Sequence, residues 1–209
     1  MQLHARFLAA LFLAFVSAVA PARAQDKFAA IPAALQPFVD QGELAGAVAL
    51  VADRDKILHV SAVGQADLEA KRAMRADDLF WIASMTKPLA AVCVGILVDD
   101  GKLTFDDAVE KYLPEFKDLW ATEEQAPARR VLVKATRPIT LRDLLTHTSG
   151  MGEYGVYGPH WTLAEMIRAV AREPLKFQPG AKWSYSTAGI DTLCRVVEVA
   201  GGVPFAEFM

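Results

Sequence analysis

Two rhythms of apolar residues divide the chain. Between Ala45 and Val63 the stretches AGAVALVA and ILHVSAV flank a polar turn, Asp53-Arg54-Asp55. Short apolar runs on either side of turn residues predict a hairpin, with strands over about 45–52 and 57–63. Such a hairpin is only marginally stable alone and needs further strands or a helix against it. Lys27 to Asp40, just upstream, has apolar positions at helical spacing and predicts an amphipathic helix. Residues 66–79 read as polar and irregular.

From Ser84 onward the period becomes helical. Leu89, Val92, Cys93, Ile96 and Leu97 mark a helix that stops at Gly101, with Pro88 in its first turn, where a missing N–H costs least. Thr104 and Asp107 predict an N-cap for a short helix to about Tyr112, ended by Pro114. Residues 117–136 read as a charged connection. Thr140 caps a short helix over LRDLLTH, which runs into the turn SGMG. Thr162 and Glu165 form a capping box for a helix to about Arg172. Pro179-Gly180 signals a turn. A long helix follows from Thr187 to about Ala200, ending at Gly201-Gly202, and PFAEFM begins another. There is no internal repeat and no low-complexity tract.

The first residues change the picture of where the chain works. His4 and Arg6 precede an uncharged apolar run from Phe7 to Ala20, and Ala22-Arg23-Ala24 supplies small residues at a cleavage site. This pattern predicts a signal peptide over 1–24, and an exported protein, periplasmic or secreted, with no stable membrane insertion after cleavage. The run is shorter than the roughly 20 residues a spanning helix needs. Loss of Arg6 and Arg23 takes the formal charge from −3 to −5. An acidic balance argues against a nucleic-acid partner. Cys93 and Cys194, the two cysteines of the chain, each fall in an apolar helical pattern, which predicts buried free thiols.

Candidate chemistry centres on Ser84 and Lys87. Three residues apart on a helix places them on one face, so the amine can reach the hydroxyl. A serine oxygen needs a base to become a nucleophile, and a lysine serves only if burial or nearby charge lowers its pKa. The apolar neighbours, from Phe80 to Ala83 and from Leu89 to Ala91, predict such desolvation. These residues alone leave two readings open: nucleophile with base, or an N-cap serine beside a solvated lysine. No G-x-S-x-G elbow occurs. His147, at a helix end beside Thr148 and Ser149, reads as a capping residue. No metal-ligand spacing is present.

Four blocks in order, IASMTK, GKLTFDDAVEKYLPEF, ITLRDLLTHTSGM and FQPGAKWSYST, resemble the serine beta-lactamase-related family. That family includes class C beta-lactamases, penicillin-recognising D-peptidases and esterases. The resemblance covers about Phe28 to Met209. It implies an α/β (α+β) fold: an antiparallel sheet flanked by helices, with an inserted all-helical domain. Residues 25–80 would supply a helix and hairpin of the sheet layer, and residues 81–209 the helical part of the catalytic domain. It implies Ser84 as acylated nucleophile, Lys87 as its base partner and Tyr185 as a proton relay. It implies no metal or organic cofactor, and an ester, amide or beta-lactam as substrate. The family's Y-x-N motif ends in asparagine, whereas this chain has Tyr185-Ser186-Thr187. The shorter Thr187 takes that substrate-binding position and puts beta-lactam or peptide recognition in question. The third family motif, K-T-G or H-x-G, does not occur before Met209, so the chain and its sheet read as incomplete at the C-terminus. The expected activity is a serine hydrolase working through an acyl-enzyme. The other expectation is an exported, non-catalytic relative that binds cell-wall peptides.

Overall fold

The computed structural model describes residues 27–126, 129–153 and 160–209. The signal peptide expected over 1–24 lies outside them. The chain forms two compact units, one up to Trp81 and one from Ile82.

In the first unit, helix α1 (Ala30–Asp40) lies against an antiparallel sheet of strands β1 (Gly46–Ala52), β2 (Ile57–Asp67) and β3 (Arg72–Ala73), in that order. Asp53 closes the β1–β2 turn, because its Oδ1 accepts the N–H groups of Asp55 and Lys56, both at 2.9 Å. β2 continues past the expected Val63, and Gln65 pairs with Ala73. The stretch read as irregular thus adds a short third strand. Gly64 is what permits this continuation: at φ +74° it passes so close to the Ala45 carbonyl that a Cβ would collide with it.

The second unit holds most of the buried core. Helix α2 (Thr86–Asp99) follows a 3₁₀ turn over Ala83–Met85. Short 3₁₀ turns cover Val109–Lys111 and Pro114–Phe116 in place of the helix expected from Thr104 to Tyr112. The reason is a tie to the next segment. Ala108 is extended and bridges to Thr140, and the Val109 N–H donates to the Ile139 carbonyl at 2.8 Å. The 117–136 connection is a hairpin, β4 (Trp120–Ala126) with β5 (Arg129–Lys134), paired from Trp120–Lys134 to Ala126–Arg129. The region expected to be all-helical therefore carries a two-stranded sheet of its own.

Helices α3 (Leu141–Leu145) and α4 (Leu163–Val170) each begin with a complete capping box, Thr140 with Asp143 and Thr162 with Glu165. Helix α5 (Thr187–Gly201) is the central element, packed against α2, α3, α4 and the short α6 (Phe205–Phe208). It buries Ala188, Ile190, Leu193, Val196 and Val197 against Val94 and Leu97 of α2, Leu141 and Leu144 of α3, and Ile167 of α4. Each large apolar side chain so buried contributes about 1.5–3 kcal/mol. Gly202, left-handed at φ +77°, ends α5 where the sequence places its stop. Cys93 and Cys194 are buried free thiols, as expected. Among the described residues no helix is long and apolar enough to cross a membrane.

Candidate active site

The start of α2 places the first two candidates. The 3₁₀ turn carries Ser84 directly into the helix, and Pro88 sits in the first helical turn. Ala83 holds a left-handed φ of +45°, a conformation that costs a non-glycine residue about 1–2 kcal/mol. One turn on, the Lys87 Nζ donates to the Ser84 Oγ at 3.1 Å.

Tyr185 reaches the same oxygen from far along the chain, its OH donating to the Ser84 Oγ at 2.8 Å. The Lys87 Nζ also lies 4.9 Å from the centroid of the Tyr185 ring. Hydrogen bonding with Lys87, and then with Ser84, holds the Tyr185 phenol below its ordinary pKa, against an opposing push from Glu153. Lys87 is half-buried, but its apolar surround is thinner than the sequence suggests: Ile82 and Leu89 are exposed.

Three local devices hold Tyr185. The Ser186 Oγ caps α5 by accepting the Gly189 N–H at 3.0 Å, an arrangement worth about 1 kcal/mol. The Ser184 N–H donates to the His147 carbonyl at 2.9 Å, and the Ser186 N–H to the His147 Nδ1 at 3.2 Å. The His147 ring lies against the Tyr185 ring, with centroids 4.7 Å apart.

His147 is indeed part of a helix cap, though through its backbone. Its N–H donates to the Leu144 carbonyl at 3.2 Å and the Thr148 N–H to the Asp143 carbonyl at 2.8 Å. With φ +58° at His147, this is the Schellman ending of α3. The side chain is left for other work, which the sequence pattern did not reveal. Burial first, and the charge of Lys87 second, hold the imidazole below its ordinary pKa. The turn after it is anchored at Gly150, φ +79°, whose missing side chain leaves room for the Phe177 carbonyl, and whose own carbonyl accepts the Lys176 N–H at 2.7 Å.

Thr187 follows two residues after Tyr185 as the first residue of α5, and its N–H donates to Glu153 Oε1 at 3.0 Å. Among the described residues, its hydroxyl makes no hydrogen bond to Lys87. Glu153 and Asp191 were not singled out in the sequence. Asp191 lies one turn beyond Thr187 on α5, where burial pushes its carboxyl up and the Lys87 charge pulls it down. The i, i+4 spacing from Thr187 is a signal that could have found it. Glu153 offers no pattern at all. Among the described residues no group of three or more His, Cys, Asp or Glu is placed to hold a metal ion.

A serine oxygen receiving hydrogen bonds from an ammonium and a perturbed phenol is an arrangement suited to acyl transfer. The comparisons with known proteins agree with that chemistry. The beta-lactamase family model matches residues 31–209. Esterase EstB of Burkholderia gladioli is 39% identical over 199 residues, covering 85% of this chain and 47% of its own length. Lovastatin esterase of Penicillium rubens is 29% identical, covering 83% of this chain and 47% of its own. Among solved structures, EstCE1, described as a hydrolase with promiscuous acyltransferase activity, superposes with a TM-score of 0.69 at 28% identity, over 82% of this chain and 46% of that one. The chain thus spans about half the length of the curated relatives it matches.

Proposed function

The chain belongs to the beta-lactamase family, and we propose on that basis an exported serine hydrolase that acts on small esters through an acyl-enzyme on Ser84. The observation that carries the proposal is the convergence of Lys87 Nζ and Tyr185 OH on Ser84 Oγ, at 3.1 and 2.8 Å. The Lys87–Tyr185 pair must first lose one proton to solvent, leaving the Tyr185 phenolate beside the Lys87 ammonium, the direction in which the Tyr185 pKa is shifted. As Oγ attacks the ester carbonyl, its proton passes to that phenolate. The pair returns that proton to the departing alkoxide, which leaves as the alcohol. Water then attacks the acyl carbon, gives up a proton to the pair, and releases the acid and free Ser84. No redox step or co-reactant beyond water is needed.

Esters are favoured over beta-lactams on two grounds. Thr187 lacks the carboxamide that could both donate to and accept from an amide. Two relatives are named as esterases. Export rests on the pattern of residues 1–24.

The test is covalent. A fluorophosphonate probe should label the wild-type protein on the peptide containing Ser84, read by mass spectrometry. Ser84→Ala should abolish the adduct, and Lys87→Ala should slow it by orders of magnitude. An adduct that survives in Ser84→Ala refutes the assignment. A protein that never labels but binds cell-wall peptides would be the non-catalytic relative instead.

A further inference from the structure

We infer that His147 is a positioning residue for the proposed acyl transfer, a neutral imidazole that fixes Tyr185 against Ser84. The inference rests on the hydrolase reading and assigns to His147 a role that neither helix capping nor the reaction itself requires.

The argument begins with the backbone. The end of α3 calls for a left-handed residue at position 147, where glycine is the unstrained choice. A histidine here gains nothing for the cap, so any benefit must lie in the side chain. That side chain and its own carbonyl take hold of the Tyr185 segment on both sides: the carbonyl receives the Ser184 N–H at 2.9 Å and Nδ1 receives the Ser186 N–H at 3.2 Å. Between these anchors the imidazole ring faces the tyrosine ring at 4.7 Å, while Trp183 meets its edge at 6.2 Å. Tyr185 is itself 43% exposed, so the direction of its hydroxyl depends on what holds the ring and the residues beside it. The residues on either side of Tyr185 are thus pinned to one histidine.

The chemistry requires one form of that histidine. Nδ1 accepts a hydrogen bond, so its proton must sit on Nε2 and the ring must be neutral. Protonation would set an N–H against the Ser186 N–H and release that anchor. The charged and titratable groups facing the ring are Lys87 from α2, Tyr185 itself and Glu153 from the loop that follows Gly152. Burial and Lys87 favour the neutral ring, and Glu153 opposes them. Acid should therefore disable the site through His147 without unfolding the chain.

The decisive variant is His147→Gly. Glycine satisfies the left-handed backbone and keeps the carbonyl anchor, so the thermal midpoint should hold or rise. The fluorophosphonate labelling rate of Ser84 and kcat for a nitrophenyl ester should fall about tenfold to a hundredfold, the scale of a misplaced catalytic group, with KM within about twofold. His147→Asn tolerates the left-handed backbone and offers a carboxamide oxygen near the place of Nδ1. It should restore most of the rate and remove the acid limb of the pH profile that wild type shows. In wild type, ¹⁵N NMR of the histidines should find His147 with its proton on Nε2. A His147→Gly protein that labels at the wild-type rate, or a wild-type His147 carrying its proton on Nδ1, overturns the inference alone. A wild type that never labels sinks the hydrolase reading and this inference together.

Discussion

Asp143 is the charge on which the loop beneath the site depends. Its side chain is 7% exposed. It accepts from Arg137 through both Nη1 and Nη2, the latter at 2.9 Å, from the Thr140 N–H and hydroxyl at 2.9 Å each, and from the Thr148 hydroxyl at 3.2 Å. Asp143→Ala removes the capping box of α3, worth about 1 kcal/mol, and the charged hydrogen bonds, worth about 1.5–3 kcal/mol where buried. The Arg137 side chain is 41% exposed and can turn to water, so the lower part of that range applies. We expect a loss of about 2–3 kcal/mol at pH 7, and about 1–2 kcal/mol for Asp143→Asn, which keeps the shape and a weaker acceptor. Burial pushes the Asp143 carboxyl up, but the hydrogen bonds from Arg137 and Thr140 outweigh it and hold the group below its ordinary value. A folded pKa below the unfolded one means that the stabilisation is full above the unfolded value, about 3.9, and is lost as pH falls through the folded value. Urea titrations at pH 7, 5 and 3.5 should therefore show the gap between wild type and Asp143→Asn narrowing at the lowest pH. A gap below about 0.5 kcal/mol at pH 7, under the usual worth of a single hydrogen bond, or a gap that does not change with pH, would refute this reasoning.

Thr187→Asn should raise nitrocefin hydrolysis relative to nitrophenyl-ester hydrolysis, because a carboxamide can both donate to and accept from an amide; a wild type that already prefers nitrocefin would contradict it. Burial, followed by Asp191 and Cys93, pushes the Cys194 thiol up to about 12, and burial raises Cys93 as well. Neither thiol should react with Ellman's reagent in the native protein at pH 8, while both should react in urea; rapid modification of native protein would count against the buried packing of α2 on α5.

The elements that could be read in the sequence are those whose cause is local. Helix α2 follows from the helical spacing of Leu89, Val92, Cys93, Ile96 and Leu97, although only Cys93 and Leu97 of these are buried. Helix α3 follows from its capping residue Thr140, and α5 from its stop at Gly201-Gly202. The β1–β2 turn follows from Asp53. The β4–β5 hairpin was missed because its cause is not local. Of β4 only Ala121 is buried, Glu123 to Gln125 are polar, and the strand is held partly by hydrogen bonds with Leu175, some fifty residues on (2.7 and 2.8 Å). The site divides in the same way. Ser84 and Lys87 meet through i, i+3 geometry, which spacing reveals. Tyr185 came only through resemblance, since no spacing rule spans so many residues. His147 was read for its position at a helix end, and nothing in the pattern tells which way a capping residue turns its ring.

The hydrogen bond from Tyr185 to Ser84 spans 101 positions of chain, and that distance has a consequence in time. Ribosomes add about 5–20 residues per second, so Ser84 is synthesised roughly 5–20 s before Tyr185 exists. Bringing such distant segments together means closing a large loop, which a folding chain achieves only after the intervening local structure is largely in place. Until α5 docks on α2, Ser84 has its lysine but no phenol beside it. Recovery of Ser84 labelling during refolding would consequently time the docking of these two helices, and it should lag behind the return of helical circular dichroism.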